Sequence, residues 1–465
     1  MFDTATYRRR RSALVKELAT HGEERGLVLF IGNGESPMNY ADNTYPFRQD
    51  SSFLYFFGIR KPGLAATIDL ETGKATVYGD DLSMDDIVWT GPEPKLAELA
   101  DGAGAEASRP RADLAAAAER SGRLLWLPPY RDETRRELAA LAGVPIGEVD
   151  ALSSTPLIRS SLSLREVKEE AEIAELEAAV ATSVDMHRAA IAMARPGLRE
   201  SDIAARVTEV AIAESGGLSF PVIATVRGAT LHNHRHDGLL EAGQLFLLDA
   251  GAETPAGYAG DLTSTFPVSS SYDARQKAIY EIVLSMGRAA ASRVKPGSPY
   301  AEAHDAAAEA GVRGLSALGL MRGDPADAVA KGAHALFFPH GVGHMVGLDV
   351  HDMENYGERW VGYDGAARSD QFGRKSLRLA KPLKAGMVLT IEPGIYFIPE
   401  LIAAWKAEGR FADCIDYKAA EAYIGFGGIR NEEDWLVTPT GGRRLGPDFD
   451  KSVAAMEAAR RKGGA

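Results

Sequence analysis

Cysteine is almost absent from this chain: Cys414 is the only one in 465 residues. No internal disulfide bond can form, which favours a reducing compartment. No apolar run approaches the roughly 20 residues that span a bilayer, and the opening stretch MFDTATYRRRR lacks the apolar core of a signal peptide. We therefore expect a cytoplasmic protein without a membrane partner.

Basic residues are outnumbered by acidic ones, with 52 Lys and Arg against 65 Asp and Glu. The formal net charge of −13 argues against a nucleic-acid-binding protein, because such proteins present a basic face. The short basic runs, RRRR at 8–11 and ARRKGG near the C-terminus, are typical of solvated helix ends. With 45% hydrophobic and 25% charged residues, the composition is that of a globular protein. Its length favours two domains over a single core.

The first part of the chain has the pattern of an α/β domain. Short apolar runs (GLVLFIG, LAATIDL and RLLWLP) alternate with helical stretches such as PKLAELADGA. Ser163 and Glu166 have the spacing of a capping box, which predicts that a long helix starts there. We place the domain boundary just before it, giving domains 1–160 and 161–465.

The second part contains a weak internal repeat. Long helices predicted from about Ser163 and about Asp273 run into RPG at 195–197 and KPG at 295–297, and another helix follows each. Pro-Gly is a common stop signal, so chance can explain the match. The alternative is a duplicated helix-pair and sheet unit, which would place a site between two related halves.

Histidine is concentrated in one glycine-rich segment. FFPHGVGHMVGLDVHD, residues 337–352, holds three of the ten histidines. A chemical role for these imidazoles requires partners elsewhere. GQLFLLDAGAETPAGYAGDLTSTFPV predicts a hairpin with one aspartate on each strand, Asp249 and Asp261. A buried carboxylate is costly unless it is paired or binds a metal, so both are candidate ligands.

Two glutamates extend this set. KAGMVLTIEPGIYFI predicts a buried strand that ends at Glu392, and alternation in GFGGIRNEEDWLV places Arg430 and Glu432 on one face. Four carboxylates would balance two divalent cations. Oxygen-dominated ligation with one nitrogen suits Mn²⁺ and tolerates Co²⁺ or Zn²⁺. Two such metals can activate water and polarise a carbonyl group.

The ordered motifs LLDAGAE, YAGDLTSTFP, HGVGHMVGLDVHD, TIEPGIYF and GGIRNEED resemble those of the pita-bread metallopeptidases. Within this group the chain is similar to the Xaa-Pro peptidases, prolidase and aminopeptidase P. FRQDSSFLYFFG and DDIVWTGP resemble their N-terminal domain. The resemblance implies an α/β (α+β) protein, with a creatinase-like domain in residues 1–160 and a pita-bread catalytic domain in residues 161–465.

The resemblance also implies a role for each matching residue. Asp249 would bind one metal ion, Asp261 and Glu432 would bridge both ions, and His344 and Glu392 would bind the other. The implied catalytic residues are Glu392, which would also shuttle the proton to the leaving amine, together with His232, His340, His351 and Arg430. His232 and His351 would contact substrate.

Three features depart from the family pattern. Phe220 stands where a tyrosine is usual, the loop before His232 is shorter and lacks the usual G-x-G, and Asn431 replaces an apolar residue. None of these changes touches an implied ligand.

The resemblance implies hydrolysis of the Xaa-Pro bond in small peptides that have proline at the second position. Prolidase cleaves dipeptides, whereas aminopeptidase P accepts longer chains. The long insertion between His351 and Glu392 contains SLR, similar to the prolidase stretch whose arginine contacts the dipeptide carboxylate, here Arg378. We therefore predict a dipeptidase, with aminopeptidase P as the alternative.

A non-catalytic binding module and a phosphotriester hydrolase are the remaining alternatives. The N-terminal domain implies a homodimer or homotetramer.

Overall fold

The structure is a computed structural model that describes residues 2–463. The chain forms two compact units, one of Met1–Arg165 with Met353–Trp360 and one of Glu166–Asp352 with Val361–Ala465. Helices and strands are mixed in both, so the α/β prediction is confirmed. Within residues 2–463, no helix has the length and apolar character needed to cross a membrane.

The first unit is built on a five-stranded mixed sheet. Its elements are α1 Thr4–Thr20, β1 Leu27–Ile31, α2 Ser51–Phe57, β2 Ala65–Asp69, β3 Ala75–Tyr78, α3 Met84–Thr90, α4 Leu96–Gly102, β4 Ala107–Arg109, α5 Asp113–Ser121, β5 Leu124–Trp126, α6 Asp132–Ala142 and α7 Thr155–Arg165. The strand order is β4-β3-β2-β1-β5, with the two outer pairs parallel and the inner pairs antiparallel. The three apolar runs predicted as strands are β1, β2 and β5. Trp126 packs in the core with Leu29 and Tyr78, and its indole N–H donates to Val149 O at 3.1 Å.

The second unit contains three small antiparallel sheets. From Glu170 onward the elements of the chain are α8 Glu170–Met193, α9 Glu200–Glu214, β6 Ile223–Thr225, β7 Leu245–Asp249, β8 Thr263–Pro267, α10 Ala274–Ala291, α11 Tyr300–Ala317, α12 Pro325–Lys331, α13 Glu358–Val361, β9 Val388–Ile391, β10 Gly394–Tyr396, α14 Pro399–Ala407, α15 Tyr417–Glu421, β11 Gly428–Arg430, β12 Glu433–Thr438, β13 Gly441–Arg444 and α16 Val453–Lys462. Of these, α13 belongs to the first unit up to Trp360. The sheets are β6-β7-β8, β13-β12-β9 and β10-β11.

The internal repeat has a structural counterpart. Helices α8 and α9 pack together and are followed by the sheet β6-β7-β8, while α10 and α11 pack together and are followed by the sheet β13-β12-β9. A bridge between Thr263 and Glu432 links β8 to the residue just before β12. The arrangement favours a duplicated unit over chance, and the two copies meet at residues predicted to bind metal.

The predicted capping box is wrong. Ser163 lies inside α7, where its hydroxyl donates to the carbonyl of Ser160, and α8 starts only at Glu170. The chain leaves the helix between them because Glu166 and Lys168 form buried ion pairs, with Lys381 at 2.5 Å and with Asp352 at 2.6 Å. Tertiary pairing overrides the local signal here.

Two histidines away from the predicted ligands, His304 in α11 and His334, are almost fully buried. Burial, with the nearby positive charge of Arg374, lowers the pKa of His334 from 6.5 to about 4. The folded state therefore keeps this imidazole neutral where the unfolded chain binds a proton. The resulting stability is present above pH 6.5 and is lost as the pH falls toward about 4.

His334→Gln is therefore expected to make the protein less sensitive to acid. Between pH 6.5 and 4, the free energy of unfolding should fall more steeply for the wild type, by roughly 1.4 kcal/mol per pH unit. Urea unfolding at several pH values measures both slopes. The exposed His234→Gln serves as the matched control and should keep the wild-type slope. Equal slopes for the wild type and His334→Gln would contradict the prediction.

Candidate metal centre

Two aspartates lie at neighbouring ends of the β7–β8 hairpin. Asp249 is the last residue of β7, and its strand partner is Thr263, the first residue of β8. Asp261 lies two residues before β8, not on the strand as predicted, because the pairing becomes irregular beyond Thr263. Its backbone N–H donates to Asp434 Oδ2 at 2.9 Å. Asp249 and Asp261 are both buried, at 8% and 5% exposure.

The two glutamates follow or precede strands of the second half. Glu392 comes directly after β9, and Glu432 lies between β11 and β12. The N–H of Glu432 donates to Thr263 O at 3.0 Å, and the Thr263 hydroxyl donates to Glu432 Oε2 at 2.7 Å. Arg430 Nε donates to the same hydroxyl at 3.2 Å. Arg430 and Glu432 therefore share one side of the chain, as alternation predicts.

Part of the glycine-rich histidine segment lies against β9, with a bridge between Met345 and Leu389. The N–H groups of Thr390 and Glu392 donate to the carbonyls of His344 and Val342, at 2.9 and 2.8 Å. A side chain at Gly343 would clash with Thr390, since its Cβ would lie 2.2 Å from the carbonyl oxygen. Glycine therefore lets this segment lie flat on the strand and brings His344 beside Glu392.

Asp261, His344 and Glu432 each offer a ligand atom, and these atoms lie within 4.8 Å of one another. His344 Nε2 is 3.4 Å from Asp261 Oδ2 and 3.9 Å from Glu392 Oε1. The other ring nitrogen, Nδ1, donates to Met345 O at 3.1 Å, which leaves Nε2 facing the carboxylate oxygens. Acceptors that face each other in this way suit a cation between them, and metal-binding histidines commonly donate to a backbone carbonyl.

Burial and mutual repulsion make the charged form of these carboxylates unfavourable without a cation. Burial, opposed in part by Arg430, raises the pKa of Asp249 to about 6 and that of Glu392 to about 7. Burial and the neighbouring carboxylates raise the pKa of Glu432 well above its usual value. Asp249 Oδ1 is buried and has no hydrogen-bond partner among residues 2–463. The donor set therefore fits divalent cations, which would neutralise the charge and satisfy this oxygen.

Arg430 connects this acidic cluster to Tyr396 and His340. Its guanidinium donates to Asp249 Oδ2 at 2.7 Å and to the Tyr396 hydroxyl at 2.9 Å. Burial and Arg430 lower the pKa of His340 to about 3, so the ring is neutral. His340 Nδ1 donates to Gly341 O at 2.8 Å, and Nε2 accepts from the Tyr396 hydroxyl at 2.9 Å. Sequence reasoning missed Tyr396, although it is four residues after Glu392 in an extended segment.

The other implied substrate residues lie around this cluster. The ring of His351 stacks on His344 with centroids 3.8 Å apart. Partial burial lowers the pKa of His232, and the charges of Arg430, His351 and Arg378 contribute to the shift. His232 and Arg378 are therefore electrostatic neighbours.

Two further groups beside the cluster were missed. Asp434 is 1% exposed, and burial, with the charge of Asp261, raises its pKa well above the usual value. Its Oδ1 has no hydrogen-bond partner within the described part of the chain. Lys451 donates to the main-chain carbonyls of Thr263 and Glu432. Alternation from Glu432 could have identified Asp434, but no local pattern indicates Lys451.

Comparison with known proteins identifies the family. Residues 174–439 match the model of metallopeptidase family M24, and residues 7–122 match the aminopeptidase P N-terminal domain. The chain belongs to metallopeptidase family M24. This confirms the predicted pita-bread Xaa-Pro peptidase family and the predicted fold class, and it makes the protein a metallopeptidase.

Curated relatives and solved structures agree with this assignment. The chain is 30% identical to a human Xaa-Pro dipeptidase, over 90% of this chain and 85% of that protein. It is 31% identical to a probable Xaa-Pro aminopeptidase of Emericella nidulans, over 91% and 87%. The structure of aminopeptidase PepP from Pseudomonas aeruginosa superposes with a TM-score of 0.81 at 25% identity, covering 100% and 99% of the two chains. The protein is thus a metallopeptidase of the Xaa-Pro peptidase family.

Proposed function

We propose that this M24 peptidase is an Xaa-Pro dipeptidase with a dinuclear metal centre. The observation that carries the proposal is the convergence of Asp261, His344 and Glu432, buried and within 4.8 Å of one another. In the proposed centre Asp249 would hold one ion, His344 and Glu392 would hold the other, and Asp261 and Glu432 would be shared by both. We propose Mn²⁺ as the metal because oxygen ligands dominate this set.

Bound ions would supply an activated water and polarise the scissile carbonyl. The chain's own residues would then position groups and move the proton. Glu392 is the more accessible carboxylate, with 20% of its side chain exposed, and Oε2 lies 3.8 Å from His340 Nδ1. It would carry a proton from the attacking water to the leaving nitrogen. This transfer matters for proline because the Xaa-Pro amide nitrogen bears no hydrogen before cleavage.

The fixed network behind the cluster would keep the reacting groups in place. Arg430 is 3% exposed and holds Asp249 and Tyr396 together. Both ring nitrogens of His340 have partners, so this histidine would act by orienting Tyr396 and the glutamate beside it. His232 and His351, on the outer side, would donate hydrogen bonds to the substrate and its developing negative charge.

Arg378 supports the dipeptidase over the aminopeptidase. Its neighbours Leu377 and Leu379 are each 1% exposed, so alternation in this short segment turns the Arg378 side chain the other way. The segment is anchored, since the N–H groups of Ala380 and Lys381 both donate to Gly362 O at 2.9 Å. A guanidinium held near His232 could bind the free carboxylate of a dipeptide in a bidentate, charge-assisted contact. We also propose a cytoplasmic homodimer or homotetramer.

Arg378→Ala tests this proposal. We expect kcat/KM for Ala-Pro to fall about 10- to 150-fold, mainly through KM, because a charge-assisted hydrogen bond is worth roughly 1.5–3 kcal/mol. Any cleavage of Ala-Pro-Ala should change little, because its carboxylate lies one residue further on. Initial rates with added Mn²⁺ measure both.

Arg368→Ala is the matched control, an exposed arginine of the same insertion. It should leave both rates unchanged. If the wild type cleaves Ala-Pro-Ala as well as Ala-Pro, and Arg378→Ala shows no selective loss, aminopeptidase P is the better assignment.

A further inference from the structure

Lys451 is a buried lysine that contacts main chain on two distant segments. It is 6% exposed, and its Nζ donates to Thr263 O at 3.0 Å and to Glu432 O at 2.6 Å. Thr263 O also accepts the N–H of Glu432 at 3.0 Å. The ammonium therefore reinforces the bridge that joins the hairpin bearing Asp261 to the segment bearing Glu432.

The position of this ammonium is itself fixed. The Tyr280 hydroxyl, from α10, donates to the carbonyl of Lys451 at 2.8 Å. The Nζ lies 5.3 Å from the centroid of the Phe449 ring and 4.0 Å from Glu433 Oε1. Burying a lysine costs free energy that its contacts must offset. Two of the three N–H groups of this ammonium donate to main-chain carbonyls beside proposed ligands.

A metal centre at this junction requires the carboxylates of Asp261 and Glu432 to be held at a fixed distance. Asp261 and Glu432 are far apart in sequence, so the distance between their carboxylates depends on how the two segments are held together. On one side Asp434 Oδ2 accepts the N–H of Asp261. On the other, Lys451 holds the carbonyls of Thr263 and Glu432. Removing the ammonium would leave carbonyls without this donor and let the two carboxylates move apart.

We propose that Lys451 is a positioning residue for the metal centre, which sets the spacing of Asp261 and Glu432 by holding the main chain of both segments. The inference rests on the proposed dinuclear function but concerns a residue that touches neither metal nor substrate. Groups that orient metal ligands typically contribute about 10- to 100-fold in metal affinity.

Metal binding is the first test. Lys451→Met, titrated with Mn²⁺ after metal removal, should bind Mn²⁺ about 10- to 100-fold more weakly than the wild type. Lys451→Arg should recover most of the affinity because a guanidinium can also donate to two carbonyls. Lys381→Met is the matched control, since Lys381 is equally buried but pairs with Glu166 and Asp364. It should lower stability without weakening Mn²⁺ binding.

Hydrogen exchange of the metal-free proteins is the second test and does not depend on metal. Peptides covering 261–267 and 428–438 should exchange faster in Lys451→Met than in the wild type or Lys381→Met. Unchanged exchange in Lys451→Met, or equal losses of Mn²⁺ affinity in Lys451→Met and Lys381→Met, would overturn the inference. Failure of the wild type to take up Mn²⁺ would instead refute the proposed metal centre, and the exchange result would still decide the role of Lys451.

Discussion

Asp261→Asn and Glu432→Gln are each expected to lose most of the bound metal and nearly all peptidase activity. Each substitution removes one negative charge from a position proposed to lie between two cations, where an amide oxygen is a much weaker ligand. Both side chains are buried, at 5% and 2% exposure, so solvent cannot compensate. Elemental analysis of the purified variants after incubation with Mn²⁺, together with the rate on Ala-Pro, measures the effect.

Glu433→Gln provides the matched control for the glutamate. It makes the same chemical change one residue later, on the side chain that pairs with Arg444 at 3.0 Å. Near-normal metal content is expected there. A normal content of two metal ions and a normal rate in either Asp261→Asn or Glu432→Gln would refute the assignment of the bridging residues.

The proposed ligands can be named from the sequence because each is an acidic or imidazole group inside an apolar or glycine-rich stretch. Such groups are costly to bury alone, and their order along the chain matches a family pattern. The structure brings Asp261, His344 and Glu432 together and places Glu392 beside His344. It also explains the glycines, because Gly343 lies against Thr390. That close contact involves β9, more than 40 residues away, and no local pattern could predict it.

The missed residues were missed for a physical reason. Tyr396 and Asp434 act through contacts with Arg430, His340 and Asp261, which lie on other segments of the chain. Only alternation from a neighbouring glutamate hints at them. Lys451 reaches a carbonyl 188 residues earlier in the chain and lies on no periodic element. Partners fixed by tertiary structure thus stay hidden even where candidate ligands can be named from the sequence.

The same limit explains the misplaced helix start. Ser163 and Glu166 have the right spacing for a cap, but Glu166 is buried at 2% exposure and paired with Lys381 more than 200 residues later. Capping is typically worth about 1 kcal/mol. A buried carboxylate left without its partner costs about 3–5 kcal/mol, so the ion pair decides the backbone there.

His351→Ala and His232→Ala are expected to separate metal binding from catalysis. Neither histidine is among the five proposed metal ligands, so both variants should keep their metal. His351 stacks on His344, and His232 is close enough to His351 and Arg378 to be influenced by their charges. A hydrogen-bond donor aimed at the developing negative charge is typically worth on the order of 100-fold in rate, so kcat on Ala-Pro should fall by about that factor.

His234→Ala, an exposed neighbour of His232 on the same loop, is the matched control and should keep both metal and rate. Elemental analysis and initial rates measure metal content and catalysis separately. If His351→Ala loses its metal, the His351 ring either holds His344 in place or binds the metal itself, and the assignment of His351 to substrate contact is wrong.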